Sequence, residues 1–231
     1  MDFALFDLRN YPTVDVATGY AEWADTYEET VFDEMDLRLL ARIQSVAWHA
    51  VRRGADLACG TGRIGVWLRD QGVARVDGVD ATPEMLVAAR AKGVYEELVA
   101  GDMMHSPLAD GAYDLVTEVL ADEHLPALAP LYAEAARLAA PGGRFVIAGF
   151  HPYFLMSGIP THFHRASGEA VTIRSYVHLF EEHVAAAAAA GWTLAEMHEG
   201  VVDDEWLARK PKWATYAHRP VSYALVWRAT A

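Results

Sequence analysis

The sequence predicts an α/β fold: a doubly wound, mostly parallel sheet with helices on both faces. Three observations carry that expectation. Strand-like apolar runs alternate with helix-period stretches between about residues 50 and 150. A glycine turn, Cys59-Gly60-Thr61-Gly62, joins the first run to the helix behind it. Carboxylates (Asp56, Asp80, Asp102 and Glu118) stand at the ends of successive runs. Repeated strand–helix–strand units call for a parallel sheet, because right-handed crossovers return each strand in the same direction. The loops that follow the strands then gather along one sheet edge, where open α/β sheets bind ligands.

Residues 1–32 precede this core and are rich in aromatics: Phe3, Phe6, Tyr11, Tyr20, Trp23, Tyr27 and Phe32. Tyr20, Trp23, Ala24 and Tyr27 fall at helical spacing, which predicts either an amphipathic helix packed on the domain or a lid over a ligand. A helix is expected over 33–51, with Leu37, Leu40, Ile43, Val46 and Ala47 on one side. Asp56 closes the first strand, and a helix runs over 62–69. Residues 75–80 read as the second strand. Thr82 suits an N-cap and Pro83 a first helical position, in a helix that ends near Gly93. Residues 97–100 and 113–118 are the third and fourth strands. A helix over 125–138 has its start kinked or delayed by Pro130. The fifth strand, 144–149, follows the turn Pro141-Gly142-Gly143. The pattern lapses over 151–175, read as an insertion after the fifth strand. A helix over 176–190 ends at Gly191. Two last strands, 193–198 and 221–227, are joined by a long charged link over 201–219. The whole, 1–231, is expected to be one domain.

Composition narrows the function classes. A chain of 231 residues, 53% of them hydrophobic, supports a substantial core. A formal net charge of −13 argues against nucleic acid or an anionic membrane as partner, since both recruit clustered positive charge. Cys59 is the single cysteine, so no intrachain disulfide forms; a reducing, cytoplasmic setting is the expectation. No basic region followed by an apolar run opens the chain, and the longest apolar run, 184–190, is mostly alanine and far too short to span a membrane.

The glycine turn admits two ligand classes. Gly60-Thr61-Gly62-Arg63-Ile64-Gly65 matches the dinucleotide pattern G-x-G-x-x-G, with Asp80 near the spacing of a ribose-binding acid. Asp56 argues the other way. A carboxylate beside the turn suits a ligand with a positive amino group and repels a pyrophosphate. Asp56, Gly60 and Gly62 resemble the first motif of the class I S-adenosylmethionine (SAM)-dependent methyltransferases, acid-x-Gly-x-Gly-x-Gly, with Ala58 at the position of the first glycine. The run from Val76 to Leu86 is similar to that family's second motif and Gly101-Asp102-Met103 to its third. Tyr20-Ala21-Glu22-Trp23-Ala24-Asp25-Thr26-Tyr27 resembles a segment that precedes the core in the menaquinone/ubiquinone-biosynthesis type. The resemblance covers about residues 50–150 well and the flanks loosely. It implies a Rossmann-like sheet of seven strands, one of them antiparallel near the C-terminus.

The resemblance also implies SAM as cofactor, with S-adenosylhomocysteine as product. Asp56 and the turn residues Ala58, Cys59, Gly60 and Gly62 would face its methionine end, with Tyr20 as cover and Glu118 near the amino group or the acceptor. Asp80 would accept from the ribose hydroxyls. Ala81 and Met85 would flank the adenine, and Asp102 and Met103 would meet its edge. Methyl transfer is a direct displacement, so a base is needed only if the acceptor must lose a proton. His124, ahead of a helix, and His151, directly after the fifth strand, are the candidates. Thr161-His162-Phe163-His164 holds two histidines at i, i+2 without an evident third ligand, so no metal is expected. The aromatics of 1–32 and of the insertion (Tyr153, Phe154, Phe163) suggest an apolar pocket for a small organic acceptor. Three alternatives stand beside this reading: a SAM enzyme with non-methylating chemistry, a non-catalytic SAM-binding subunit, and a nicotinamide-dependent oxidoreductase.

Overall fold

The computed structural model describes residues 1–31 and 35–230. In chain order, its strands are β1 (Thr13–Val14), β2 (Gly54–Leu57), β3 (Val76–Asp80), β4 (Leu98–Ala100), β5 (Tyr113–Val119), β6 (Ala139–Phe150), β7 (His162–His164), β8 (Ala170–Ile173), β9 (Trp192–Val201) and β10 (Pro220–Ala229). The helices are α1 (Val16–Trp23), α2 (Tyr27–Thr30), α3 (Leu37–Leu40), α4 (Arg63–Asp70), α5 (Pro83–Lys92), α6 (Ala129–Leu138), α7 (Pro152–Met156), α8 (Phe180–Ala189) and α9 (Asp204–Arg209).

Seven strands form one sheet in the order β4-β3-β2-β5-β6-β10-β9. All neighbours pair in parallel except β10, which runs antiparallel to both β6 and β9. This is the doubly wound sheet that the sequence predicts, with its one antiparallel strand near the C-terminus. Strand periodicity explains why both faces are dry. On β6, Phe145 and Ile147 turn toward α6 and α8, in a cluster with Leu131, Tyr132, Leu138 and Ala187. Val146 and Ala148 turn the other way, into a cluster with Ile64 and Leu68 of α4 and with Leu39 and Leu40 of α3. No described helix is long and apolar enough to cross a membrane.

The helix expected over 33–51 shrinks to α3 and one 3-10 turn at Trp48–Ala50; Phe32 and residues 33 and 34 lie outside the described residues. Tertiary acceptors take the amides that a helix would use. Glu196 of β9 accepts from the N–H groups of Gln44 and Ser45. Asp36 accepts from the N–H of Leu37 and pairs with Arg63 at 2.8 Å. The apolar residues of this stretch still pack: Leu40, Ile43 and Val46 are buried. The helix over 125–138 starts late, at Ala129, with Pro130 in its first turn, and the last helix starts at Phe180.

The irregular parts form a second, smaller structure. β1 pairs in parallel with β8 through Thr13↔Thr172 and Val14↔Ile173, and β7 pairs antiparallel with β8. The N-terminal segment and the stretch over 151–175 thus meet in one sheet at the carboxyl edge of the main one. α1 lies close on β8: a Cβ at Gly19 would come within 2.7 Å of Ile173.

Gly65, the third glycine of the turn pattern, sits in the first turn of α4 with Tyr95 across it. A Cβ there would lie 2.4 Å from the Tyr95 ring and hydroxyl. In a free helix, alanine is more stabilising than glycine by roughly 0.5–1 kcal/mol. Here the overlap reverses the sign. Gly65→Ala is expected to lose about 1–3 kcal/mol, read from the midpoint of denaturant unfolding; an unchanged or raised midpoint contradicts the packing described.

Candidate active site

The turn after β2 places the first half of the site. Ala58 (φ 53°), Gly60 (φ 52°) and Gly62 (φ 87°) all take left-handed backbone conformations. Glycine enters that region freely, whereas a methyl-bearing residue such as Ala58 does so at ~1–2 kcal/mol. Strain of this kind gathers at binding sites. Asp80, the last residue of β3, holds the turn: its carboxylate accepts the N–H of Gly60 at 2.7 Å and that of Thr82 at 2.8 Å. A carboxylate offers about four lone-pair directions, so two remain for donors from a ligand. Burial pushes the Asp80 carboxyl up, against the pull of these two bonds.

Beside the turn lies a cavity of about 230 Å³. Tyr20, Ala58, Gly60, Asp80, Ala81, Met85, Asp102, Met103 and His124 all line it. Asp80 and Asp102 sit at the ends of neighbouring strands, and Ala81, Met85 and Met103 give apolar walls. These are the residues that the sequence assigned to ribose, adenine and cover.

Five expected residues are placed otherwise. Asp56 lies beneath the turn, fully buried, where the Tyr95 hydroxyl donates to it at 2.7 Å and the Thr117 hydroxyl at 2.9 Å. Burial outweighs these bonds and lifts its carboxyl to about 6. It is a floor residue, not a ligand contact, because β2 ends in a buried pleat before the chain turns up. Cys59 is buried beside it; burial, then Asp56 and Asp80, push its thiol well up. Gly62 closes against Tyr95 and Ala89. Glu118 is buried outside both cavities, its Oε1 accepting from the Ala121 N–H at 2.7 Å. His151 caps α7: its Nδ1 accepts the Tyr153 N–H at 3.0 Å, so Nε2 carries the proton and donates to Glu199 at 3.0 Å. The turn into α7 aims this ring at β9 and away from the cavities.

His124 is held at both nitrogens. Nδ1 lies 2.7 Å from the Arg174 carbonyl and must donate to it. Nε2 therefore accepts from the Tyr20 hydroxyl at 2.9 Å. Burial pushes the imidazole down to about 4, so the ring is neutral at ordinary pH. It faces the first cavity and fixes Tyr20.

A second cavity, of about 570 Å³, opens behind Tyr20. Most of its walls come from outside the core: Trp23 and Tyr27 before it, Phe154, Thr161 and Phe163 in the insertion, and Trp213 in the 201–219 link; Leu120 and Glu123 join them from the turn after β5. Tyr153, expected here, points outward at 41% exposure. Trp23 stacks on Phe163 with ring centroids 5.5 Å apart, and Phe154 on Trp213 at 5.6 Å. The two cavities share Tyr20, Tyr27 and Leu120 as a common wall. Leu120 takes φ 60°, another strained non-glycine residue at the site.

Residues 55–147 match a family profile described as a methyltransferase domain. A demethylmenaquinone methyltransferase of Thermus thermophilus is 35% identical over 123 residues, 51% of this chain and 56% of that one. Methyltransferase GfsG of Streptomyces halstedii is 28% identical over 200 residues, 82% of this chain and 70% of that one. A SAM-dependent methyltransferase of Mesorhizobium loti has the same fold, with a TM-score of 0.68 at 22% identity over 84% of this chain and 97% of its own. The chain has the fold of a SAM-dependent methyltransferase, and the methyltransferase-domain match lies within residues 55–147. The chain spans about half the length of the Thermus relative.

SAM is the cofactor that these likenesses imply, and the first cavity fits it. Two acids, Asp80 and Asp102, line it and can accept from a ligand's donors. A Cβ built at Gly60 meets no atom within 4 Å, so the space beside that backbone is left open.

One residue of the candidate site escaped the sequence reading. Glu123, in the 3-10 turn Asp122–His124, lines the second cavity and is 1% exposed. Its signal was the run Asp122-Glu123-His124 set between apolar residues at a strand end; attention to the histidine hid the acid. Burial lifts its carboxyl to about 7 from an ordinary 4.5. The unfolded chain releases this proton near 4.5 while the fold keeps it to about 7, so Glu123 lowers stability increasingly across that window. Glu123→Gln is expected to raise thermal stability at pH 8, by up to about 3 kcal/mol, with no gain at pH 4. Equal shifts at both pH values contradict the assignment.

Proposed function

We propose that the protein transfers the methyl group of SAM to a small organic acceptor with an apolar body. The observation that carries this reading is the pair of cavities meeting at Tyr20, Tyr27 and Leu120. One has polar partners for a nucleoside; the other is larger and walled with aromatic rings. When bound, SAM supplies a methyl group activated by a positively charged sulfur.

The chain's own residues bind, orient and exclude water. Asp80 and Asp102 would hold the ribose and adenine, and Ala81, Met85 and Met103 would pack on the ring. Tyr20 and Tyr27 would cover the junction as part of a lid formed by the N-terminal segment, with 151–175 as the opposite wall. His124 would act as a positioning residue for Tyr20, since both its nitrogens are engaged. Alignment of this kind can supply roughly 7–11 kcal/mol of a displacement barrier. The relatives' names support methylation of organic molecules, among them a demethylmenaquinone methyltransferase. The net charge of −13 favours a small acceptor over nucleic acid, and the single cysteine a reducing cytoplasm.

Calorimetric titration with S-adenosylhomocysteine, with NAD as control, tests the cofactor. Binding of the first alone is expected, and Asp80→Ala should weaken it at least tenfold by removing charge-assisted bonds. Binding of NAD alone, or unchanged affinity in a folded Asp80→Ala variant, overturns the reading.

A further inference from the structure

The second cavity holds one polar group that the reading above leaves without a task. Glu123 is buried among rings, yet its Oε2 has no hydrogen-bond partner. Oε1 accepts from the Thr161 hydroxyl at 3.3 Å, and the carboxyl is also drawn down by Glu123's own N–H. Its nearest titratable neighbour, His124 Nε2 at 3.6 Å, already accepts from Tyr20 and offers no proton. A buried acceptor left unsatisfied costs about 1–3 kcal/mol, and native sites keep such a group when a ligand completes it. For the ionised carboxylate the missing partner is a donor. It must arrive on a flat apolar body, since Trp23, Phe163 and Trp213 line the space around it. The terminal torsion of a glutamate is soft, so Oε2 turns toward such a donor at little cost.

Resting on the methyltransferase reading, we propose that Glu123 receives a phenol-type hydroxyl of the acceptor and takes its proton during transfer. The hydroxyl proton passes to Oε2 as an oxygen lone pair forms the bond to the methyl carbon. The carbon–sulfur bond breaks with its electrons remaining on sulfur. Carboxylate and sulfonium become a carboxylic acid and a neutral thioether, and the proton leaves Glu123 to water once the product departs. No Lys or Arg pairs with Glu123 among the described residues, so the carboxylate stays basic, as its upward shift indicates. An aromatic hydroxyl is acidic enough for a carboxylate of that kind to deprotonate, and an aliphatic one is not.

The test uses 2-naphthol and 2-methoxynaphthalene, equal in ring body and differing in the donor, in equilibrium dialysis with saturating S-adenosylhomocysteine. The wild-type protein is expected to bind 2-naphthol at least tenfold tighter. Glu123→Leu should bind the two within twofold. Glu123→Gln, which keeps the shape if the leucine variant fails to fold, should fall below threefold, its amide oxygen being a weaker, uncharged acceptor. No preference in the wild type, or the full preference in whichever variant folds, overturns the assignment. With SAM in place of the product, the wild type should methylate 2-naphthol and Glu123→Gln at least 100-fold more slowly. A glutamine variant within threefold of wild type, or a wild type that binds 2-naphthol without methylating it, overturns the proton transfer. Titration of the same samples with S-adenosylhomocysteine separates the two failures. A wild type that does not bind it overturns the methyltransferase reading, and one that binds it without preferring 2-naphthol overturns the role of Glu123 alone.

Discussion

The carboxylate of Asp80 joins the two turns on which the first cavity rests. One oxygen holds the N–H of Gly60 in the turn after β2, and the other holds that of Thr82 at the start of α5. Both turns depart from regular structure, and the first includes a strained Ala58. Without an acceptor between them their amides would be left to water. The bond to Gly60 sets the opening of α4; the bond to Thr82 sets that of α5. Asp56 and Tyr95 support the same turn from below, with Tyr95 packed against Gly62 and Gly65. The acids of this edge thus divide into one that clamps backbone and faces the cavity and one that braces the floor.

A second group of acids, Glu118, Asp122 and Glu123, is buried at and after the end of β5, and burial raises all three carboxyls. Among the described residues no Lys or Arg forms an ion pair with them. His124 and His183 are pushed down, to about 4 and about 3, and remain neutral. Asp122 is held instead by a chain of neutral bonds. The Tyr132 hydroxyl donates to His183 Nδ1, His183 Nε2 donates to the Tyr223 hydroxyl, and Tyr223 donates to Asp122 at 2.7 Å. Such a cluster trades stability for chemistry. It lies where the loops after β5 and β6 meet, next to the wall between the cavities.

Much of the sheet was legible because its signals are local. Buried strands read as short apolar runs, Pro83 and Gly93 bound α5, and Pro130 delays α6. The first cavity was legible for the same reason: Asp80 ends β3, Ala81 follows it and Asp102 stands two residues past β4, so chain order places each at the carboxyl edge. Asp56 stands under the turn and not in the cavity wall, because spacing does not say whether a side chain near a strand's end points up to the cavity or down into the pleat. His151 was misread because its ring follows the cap of α7 toward Glu199, a partner 48 residues away. The helix expected over 33–51 was lost to Glu196 on β9, which competes for its amides from a distant part of the chain.

The sequence by itself determined the fold class, the order of the strands' loops along one edge and the acids that line the first cavity. These follow from periodicity, glycine and proline, which act within a few residues. Only the tertiary structure decided the second cavity. Its walls come from stretches that carry no shared pattern, two of which meet because β1 pairs with β8 and α1 packs on that strand. It also decided the role of Glu123. A glutamate between Asp122 and His124 reads as an ordinary polar turn until distant aromatic rings gather beside it and bury it.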